Sequence, residues 1–188
     1  MVELFSNIAT AFGLSASAGL NAYLPLLIVA LTARYTGWLT LNEPWNVLTN
    51  GWVIGVLAVL LLIEMTVDKI PAVDTINDVI QTVGRPAAGA ILFAAGSGAV
   101  GDLHPVPAII AGLLLAGSVH TVKSVARPAV TASTGGLGNW AISIIEDILA
   151  LLGAILSILM PIILVLMLVA VLLGLLWRQG RRVRAGAI

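Results

Sequence analysis

The residues able to do chemistry in this chain are few and gathered into three groups. Glu64, Asp68 and Lys69 lead into Asp74, Asp78 and Arg85; His120, Lys123 and Arg127 follow; Glu146 and Asp147 come last. Glu64 and Asp68 are spaced i, i+4, as are Asp74 and Asp78, and Lys123 and Arg127, so each like-charged pair shares one face wherever its segment is helical. Like charges at that spacing repel, and pairing across segments removes the conflict. Six carboxylates then face four bases, Lys69, Arg85, Lys123 and Arg127, and the surplus must be hydrated, protonated or bound to a cation. One reading is a set of salt bridges holding helix ends together. The other is a cytoplasmic gate or a proton- or cation-coupled site, with Glu64 and Glu146, nearest the apolar runs, as its leading residues. His120 is a candidate proton relay because an imidazole titrates near neutrality, and equally an interfacial hydrogen-bonding group.

Two further features carry polar chemistry. Ser15, Ser17, Gly19, Asn21 and Pro25 place polar and helix-breaking residues near the middle of the first apolar stretch. Small residues let helices approach, Asn21 can hydrogen-bond across them, and Pro25 frees a backbone carbonyl near residue 21. A helix broken at mid-membrane is a substrate-site device in transporters; a packed, kinked helix with Asn21 as glue is the alternative. The Gly-rich segment 131–139 precedes an apolar run and could present amides to a phosphate, with Lys123 and Arg127 just before it. It lacks the Lys-Ser/Thr ending of a P-loop. It faintly resembles the loop of membrane phosphatases with a histidine nucleophile, but Asn139 stands where that histidine belongs, and the segment reads first as a flexible connector.

The elements that position these groups follow from composition. Of 188 residues, 60% are hydrophobic and 10% charged, with mean hydropathy +1.09. A chain this short cannot hide so much apolar surface in its own core, so lipid is expected to be its solvent, and a soluble enzyme, a disordered chain or a nucleic-acid binder is a poor fit. Nine bases balance nine acids, but four of the bases, Arg178, Arg181, Arg182 and Arg184, lie in the last eleven positions. No cysteine is present, which removes disulfides, thiolate metal sites and a cysteine nucleophile. No metal and no cofactor is expected. The N-terminus lacks a basic n-region, so a cleaved signal peptide is not expected.

Six segments approach the length of a spanning helix: about 7–33, 52–67, 86–101, 106–122, and the 140–177 stretch divided at Met160-Pro161, where proline disrupts a helix. Lys69, Arg85, Lys123, Arg127 and the arginine tail follow alternate segments, as the positive-inside rule requires of six spans with both termini cytoplasmic. Tyr35, Trp38, Trp45 and Trp52 then anchor the outer face, and Trp140 and Trp177 the inner one. Thr40 to Glu43 has the spacing of a capping box for a short interfacial helix, as has Ser143 to Glu146 for the fifth span. Residues 74–83 read as a polar-faced helix on the inner surface. Val83-Gly-Arg-Pro-Ala87 recurs as Val125-Ala-Arg-Pro-Ala129, and Gly19-Leu-Asn21 resembles Gly136-Leu-Gly-Asn139, a weak internal repeat.

The combination of Gly19 to Pro25, Asp68 to Asp74, Gly84 to Gly89, and Ser133 to Asn139 with Ser143, Glu146 and Asp147 resembles an uncharacterised family of small bacterial integral membrane proteins, catalogued as a domain of unknown function. The resemblance implies a bacterial inner membrane and brings no activity or ligand. The expected architecture is an all-α polytopic bundle, a single transmembrane domain over 1–177 with a basic cytoplasmic tail over 178–188. Its partners are the lipid bilayer and an ion or small solute, with a homo-oligomer open and no nucleic acid. The leading reading is non-enzymatic transport or conduction, with Asn21, Pro25, Glu64, Asp68, Lys69, Asp74, Arg85, Lys123, Arg127, Asn139, Glu146 and Asp147 as transport or gating residues. A non-transporting interaction protein, using small-residue faces at Gly89, Gly96 and Gly98, is the alternative; a phosphatase-like enzyme is third. The membrane premise is checked by size-exclusion chromatography: the chain should be monodisperse in detergent and aggregate when the detergent is removed.

Overall fold

A computed structural model describes residues 2–68, 71–97, 104–135 and 137–161, together with 163, 166, 169–171 and 177; at 2, 71–76, 78 and 137 only the backbone is described. The described residues form six α-helices and one short 3-10 turn, with no strand. The helices are α1 (Val2–Leu20), α2 (Tyr23–Tyr35), α3 (Gly51–Val67), α4 (Pro71–Ser97), α5 (Pro105–Thr134) and α6 (Leu137–Leu159), and the 3-10 turn is Trp45–Thr49. Lys69, Gly98, Asp102, Gly136 and the tail from 178 onward lie outside the described residues.

The first expected span is not one helix. Pro25 has no N–H to give to residue 21, and the amide of Leu24 is taken instead by the Asn21 side chain at 3.0 Å, so the helix ends at Leu20 and restarts at Tyr23. The chain doubles back there. α1 meets α4 antiparallel, with Gly89 against Ser15 and Gly96 against Ala11. α2 pairs antiparallel with α3, the Ala22 amide meeting Glu64 at one end and the Arg34 guanidinium the Thr49 carbonyl at the other. Trp45, in the connection after α2, packs with Ala11, Phe93, Ala94 and Ala108, beside the first half of α1. The α1–α2 pair is therefore a helical hairpin with Asn21 and Ala22 at its tip. This corrects the expectation of a polar break near the middle of one span. It also places the start of α1 at the end of the bundle away from the charged residues, where a single 7–33 span would have brought it beside them.

Other boundaries move for local reasons. The inner-surface helix over 74–83 and the third span are one helix, α4, with Pro86 inside it. Its ring packs beside Gly117 of α5. α5 runs twelve residues past the expected end at Val122, through Pro128, so 131–134 is helix and not flexible connector. Gly135 ends it in the left-handed conformation (φ 61°), its amide donating to the Thr131 carbonyl, which closes a tight α5–α6 turn. Neither expected capping box forms. Thr40 lies outside any helix and the cap of the 3-10 turn is Pro44, while Ser143 and Glu146 lie inside α6. Asn50 caps α3, accepting from the Trp52 amide at 2.9 Å. α6 ends at Leu159, ahead of Pro161, as proline requires.

The surface is inverted relative to a water-soluble bundle. α5 and α6 are long and apolar enough to cross a membrane, and only 22% and 28% of their most apolar windows is buried inside the chain. Val56, Val59, Leu62, Val122 and Leu149 face outward while Arg85, Glu64 and Asp68 are inside. Tyr35, Trp38 and Trp52 are exposed at the end away from those charges. The helices close on small residues. A methyl group on Gly89 would overlap Ala116 of α5 and one on Gly112 would overlap the Gly89 carbonyl, while one on Gly19 would stand 2.5 Å from the Val119 side chain. Gly89 and Gly96, expected as faces for a partner, are thus used inside the chain.

Gly112→Ala should therefore destabilise by about 1–3 kcal/mol, because backbone of α4 stands where its methyl would go. Gly55, with nothing near it, should accept Ala with a gain of about 0.5–1 kcal/mol in helix propensity. Unfolding curves of the two variants in one detergent check both signs.

Candidate functional site

The charged side chains meet where the hairpin tip reaches α3, α4, α5 and α6. Glu64, on the last turn of α3, is 1% exposed and accepts from Arg85 of α4 through Nε at 3.3 Å and Nη2 at 3.1 Å. Its two oxygens also stand 3.3 and 3.2 Å from the amide of Ala22. Asp68, one turn on, takes Arg85 Nη2 at 3.3 Å, Lys123 Nζ at 3.1 Å and Arg127 Nη2 at 3.6 Å on one oxygen. Its other oxygen accepts from Asn77 Nδ2 at 2.7 Å. Glu146 of α6 closes the set, 3.0 Å from Lys123 Nζ and 2.6 Å from Arg127 Nη2. Three carboxylates and three cations form one continuous buried network. The like-charged pairs Glu64/Asp68 and Lys123/Arg127 are each resolved by partners on other helices.

The tip of the hairpin is built into this network by its own backbone. Breaking a helix leaves donors at the new N-terminus and acceptors at the old C-terminus, with partial charges of matching sign. Here the Ala22 N–H, at the positive start of α2, points at the Glu64 carboxylate. The Leu20 carbonyl, at the negative end of α1, accepts from Lys123 Nζ at 3.1 Å. Asn21 donates from Nδ2 to Asp147 of α6 at 3.0 Å while its Oδ1 caps α2. Every orphaned group named here meets a partner of opposite sign.

Arg85 is fully buried and touches a further polar group on α5. Its Nη1 lies 3.0 Å from Nδ1 of His120, and the other ring nitrogen lies 3.3 Å from the hydroxyls of Thr82 and Ser124. Two cavities flank the network. One of about 270 Å³ lies between α4 and α5 beside His120. The other, about 440 Å³ and largely apolar, opens between α1, α5 and α6 onto Lys123 and Glu146. Ser143 Oγ and Gln81 Oε1 are buried with no hydrogen-bond partner among the described residues.

Of the twelve residues expected to act, eight converge: Asn21, Glu64, Asp68, Arg85, Lys123, Arg127, Glu146 and Asp147. Pro25 is buried in the first turn of α2 and contributes by shaping the tip. Asn139 does not join them; its side chain bonds Thr131 across the α5–α6 turn at 2.9 Å. Lys69 and the side chain of Asp74 lie outside the described residues. The sequence reading missed Asn77 and the backbone groups of Leu20 and Ala22. Asn77, Gln81 and Arg85 recur every four residues, a polar stripe that periodicity could have revealed. The backbone groups carry no sequence signal beyond Pro25.

A family model described as a domain of unknown function, DUF4126, matches residues 8–182. No curated protein and no solved structure matches the chain.

Removing one member of a buried ion network leaves its partners uncompensated. Arg85→Met should destabilise by about 3–5 kcal/mol, and adding Glu64→Met to it should restore part of that loss, since the uncompensated carboxylate goes too. Thermal unfolding of the single and double variants in detergent measures the difference.

Proposed function

The chain belongs to the DUF4126 family, and from that premise, which supplies no activity, we propose a function built on the site itself. The protein is a multi-pass protein of a bacterial inner membrane that transports or conducts an ion or small solute. The charged network at the hairpin tip is its gate. One observation carries the reading: six charged side chains are buried where outward faces are apolar, and two of them, Glu64 and Lys123, bond the backbone on either side of a two-residue helix break. Intramembrane ionisable groups are expensive and are retained mainly where they serve a pathway or a switch. Helix ends that meet charges at a break are the means by which transporters bind and release charged cargo.

In this reading Glu64 and Lys123 stand in for cargo at the two helix ends. Opening consists of withdrawing them, so that the Ala22 amide or the Leu20 carbonyl can meet a passing ion. The lipid bilayer is the protein's main partner, and no catalytic step is involved. Two observations weigh on the other readings. Gly89 and Gly96 are filled by Ala116 and Ala11, which removes two of the three glycines offered as a partner surface. Lys123 and Arg127 are turned to Asp68 and Glu146, and the segment 131–134 before Gly135 is helical, which weighs against a phosphate cradle there.

Flux into proteoliposomes tests the proposal directly. Wild-type protein should give protein-dependent flux for at least one member of a panel of ions and small solutes. Glu64→Gln and Asn21→Ala should each change that rate by roughly tenfold, the scale of about 1.4 kcal/mol in a gating barrier. No flux across the panel removes the transport reading.

A further inference from the structure

Taking the charged network as a gate, the geometry around His120 points to what moves it. We propose that His120 is a proton-binding site, and that proton uptake there expels Arg85 and unlatches the hairpin tip.

The assignment rests on donors and acceptors. A guanidinium only donates. Its Nη1 lies 3.0 Å from Nδ1 of His120, so Nδ1 carries the lone pair and the ring is neutral, with its proton on Nε2. Nε2–H faces the hydroxyl oxygens of Thr82 and Ser124, each at 3.3 Å and each able to accept. A proton entering the ring can bind only at Nδ1. It then sets an imidazolium N–H against a guanidinium N–H, two donors and two cations in hydrogen-bond contact, and Arg85 has to withdraw. Arg85 is the side chain that holds Glu64 through Nε and Nη2 and reaches Asp68 through Nη2. Glu64 in turn holds the amide of Ala22. Proton binding at one ring nitrogen is thus connected to the hairpin tip by three consecutive polar contacts.

The other described ionisable groups on the elements packed against His120 point elsewhere. On α3, Glu64 and Asp68 lie on the far side of Arg85. On α5 itself, Lys123 and Arg127 are directed to Asp68 and Glu146, the latter on α6. α1 brings the Leu20 carbonyl, already bonded to Lys123. On α4, Asp78 precedes Thr82 by one turn and Asp74 by two, their side chains outside the described residues. In this proposal the proton enters through the cavity of about 270 Å³ beside His120, whose lining combines Thr82, Ser118 and Thr121 with Pro86, Leu113 and Leu114. The Ser118 and Thr121 hydroxyls donate to carbonyls of their own helix, at Leu114 and Gly117, which leaves their lone pairs open to water.

Two measurements decide it. In nanodiscs, histidine-labelled protein carrying His104→Gln should show by ¹⁵N NMR the neutral Nε2–H tautomer at neutral pH and conversion to imidazolium on acidification. An Nδ1–H tautomer, or an imidazolium already present at the higher pH, overturns the proposal. The chain has no cysteine, so Ala22→Cys reports on the tip alone, normalised to Ser133→Cys on the exposed end of α5. Thiol labelling of the tip should rise several-fold over the same acidification and stay flat with His120→Gln, whose Oε1 gives Arg85 an acceptor that does not titrate. An equal rise in the His120→Gln background overturns the proposal. So does a rise abolished by Asp78→Asn and kept with His120→Gln. If Ala22→Cys does not fold, the NMR result stands alone as the test. A proton-dependent tip without flux in the solute panel keeps the proton site and removes the gate; flux with a tip indifferent to protons does the reverse.

Discussion

Asp68 is the interaction on which the bundle closes. It caps the end of α3, and its two oxygens are reached from α4 by Arg85 and Asn77 and from α5 by Lys123 and Arg127. A buried carboxylate is costly unless partners replace its lost water. Asp68 meets that condition only when α3, α4 and α5 are assembled in one register, because no single helix supplies the donors. The same holds for Glu64, whose partners lie on α4 and at the hairpin tip, while Glu146 ties α6 to α5 through Lys123 and Arg127. The network therefore specifies alignment along the helix axes. Van der Waals packing of apolar faces in lipid does this weakly, since acyl chains are as apolar as the faces they touch.

Close approach makes that register possible. Gly89 and Gly112 let α4 and α5 cross with backbone almost in contact, and Gly19 brings α1 against Val119 one turn before the charged level. Arg85, fully buried, then reaches Glu64 and Asp68 without leaving its own helix face. Small residues and charged ones are two halves of one device. The first bring the backbones together, and the second find their partners because the backbones are close.

The hairpin tip shows why such a site can also be a switch. A helix break exposes an amide and a carbonyl that must be satisfied, and here long charged side chains satisfy them. A side chain can leave and return with a change of protonation, which a backbone ladder cannot do. Arg85-Pro86 lies inside α4 and Arg127-Pro128 inside α5, and both arginines turn to Asp68.

The amino-acid sequence by itself determined that the chain is helical and unusually apolar, that its ionisable residues gather toward one end of the expected bundle, and that the like-charged i, i+4 pairs need partners on other segments. Hydropathy, i, i+4 spacing and the cost of unpaired buried charge are properties of the residues and their order. Tertiary structure alone decided which charge meets which, that Asn139 stays at the α5–α6 turn, and that 74–97 forms one helix through Pro86. Most of all, it decided that the chain turns back at Asn21. Pro25 and Asn21 announce a break, but a break followed by continuation and a break followed by reversal have the same local sequence. The choice is made by contacts distant in sequence, Trp45 against Ala11 and Ala22 against Glu64, which exist only once the bundle has formed.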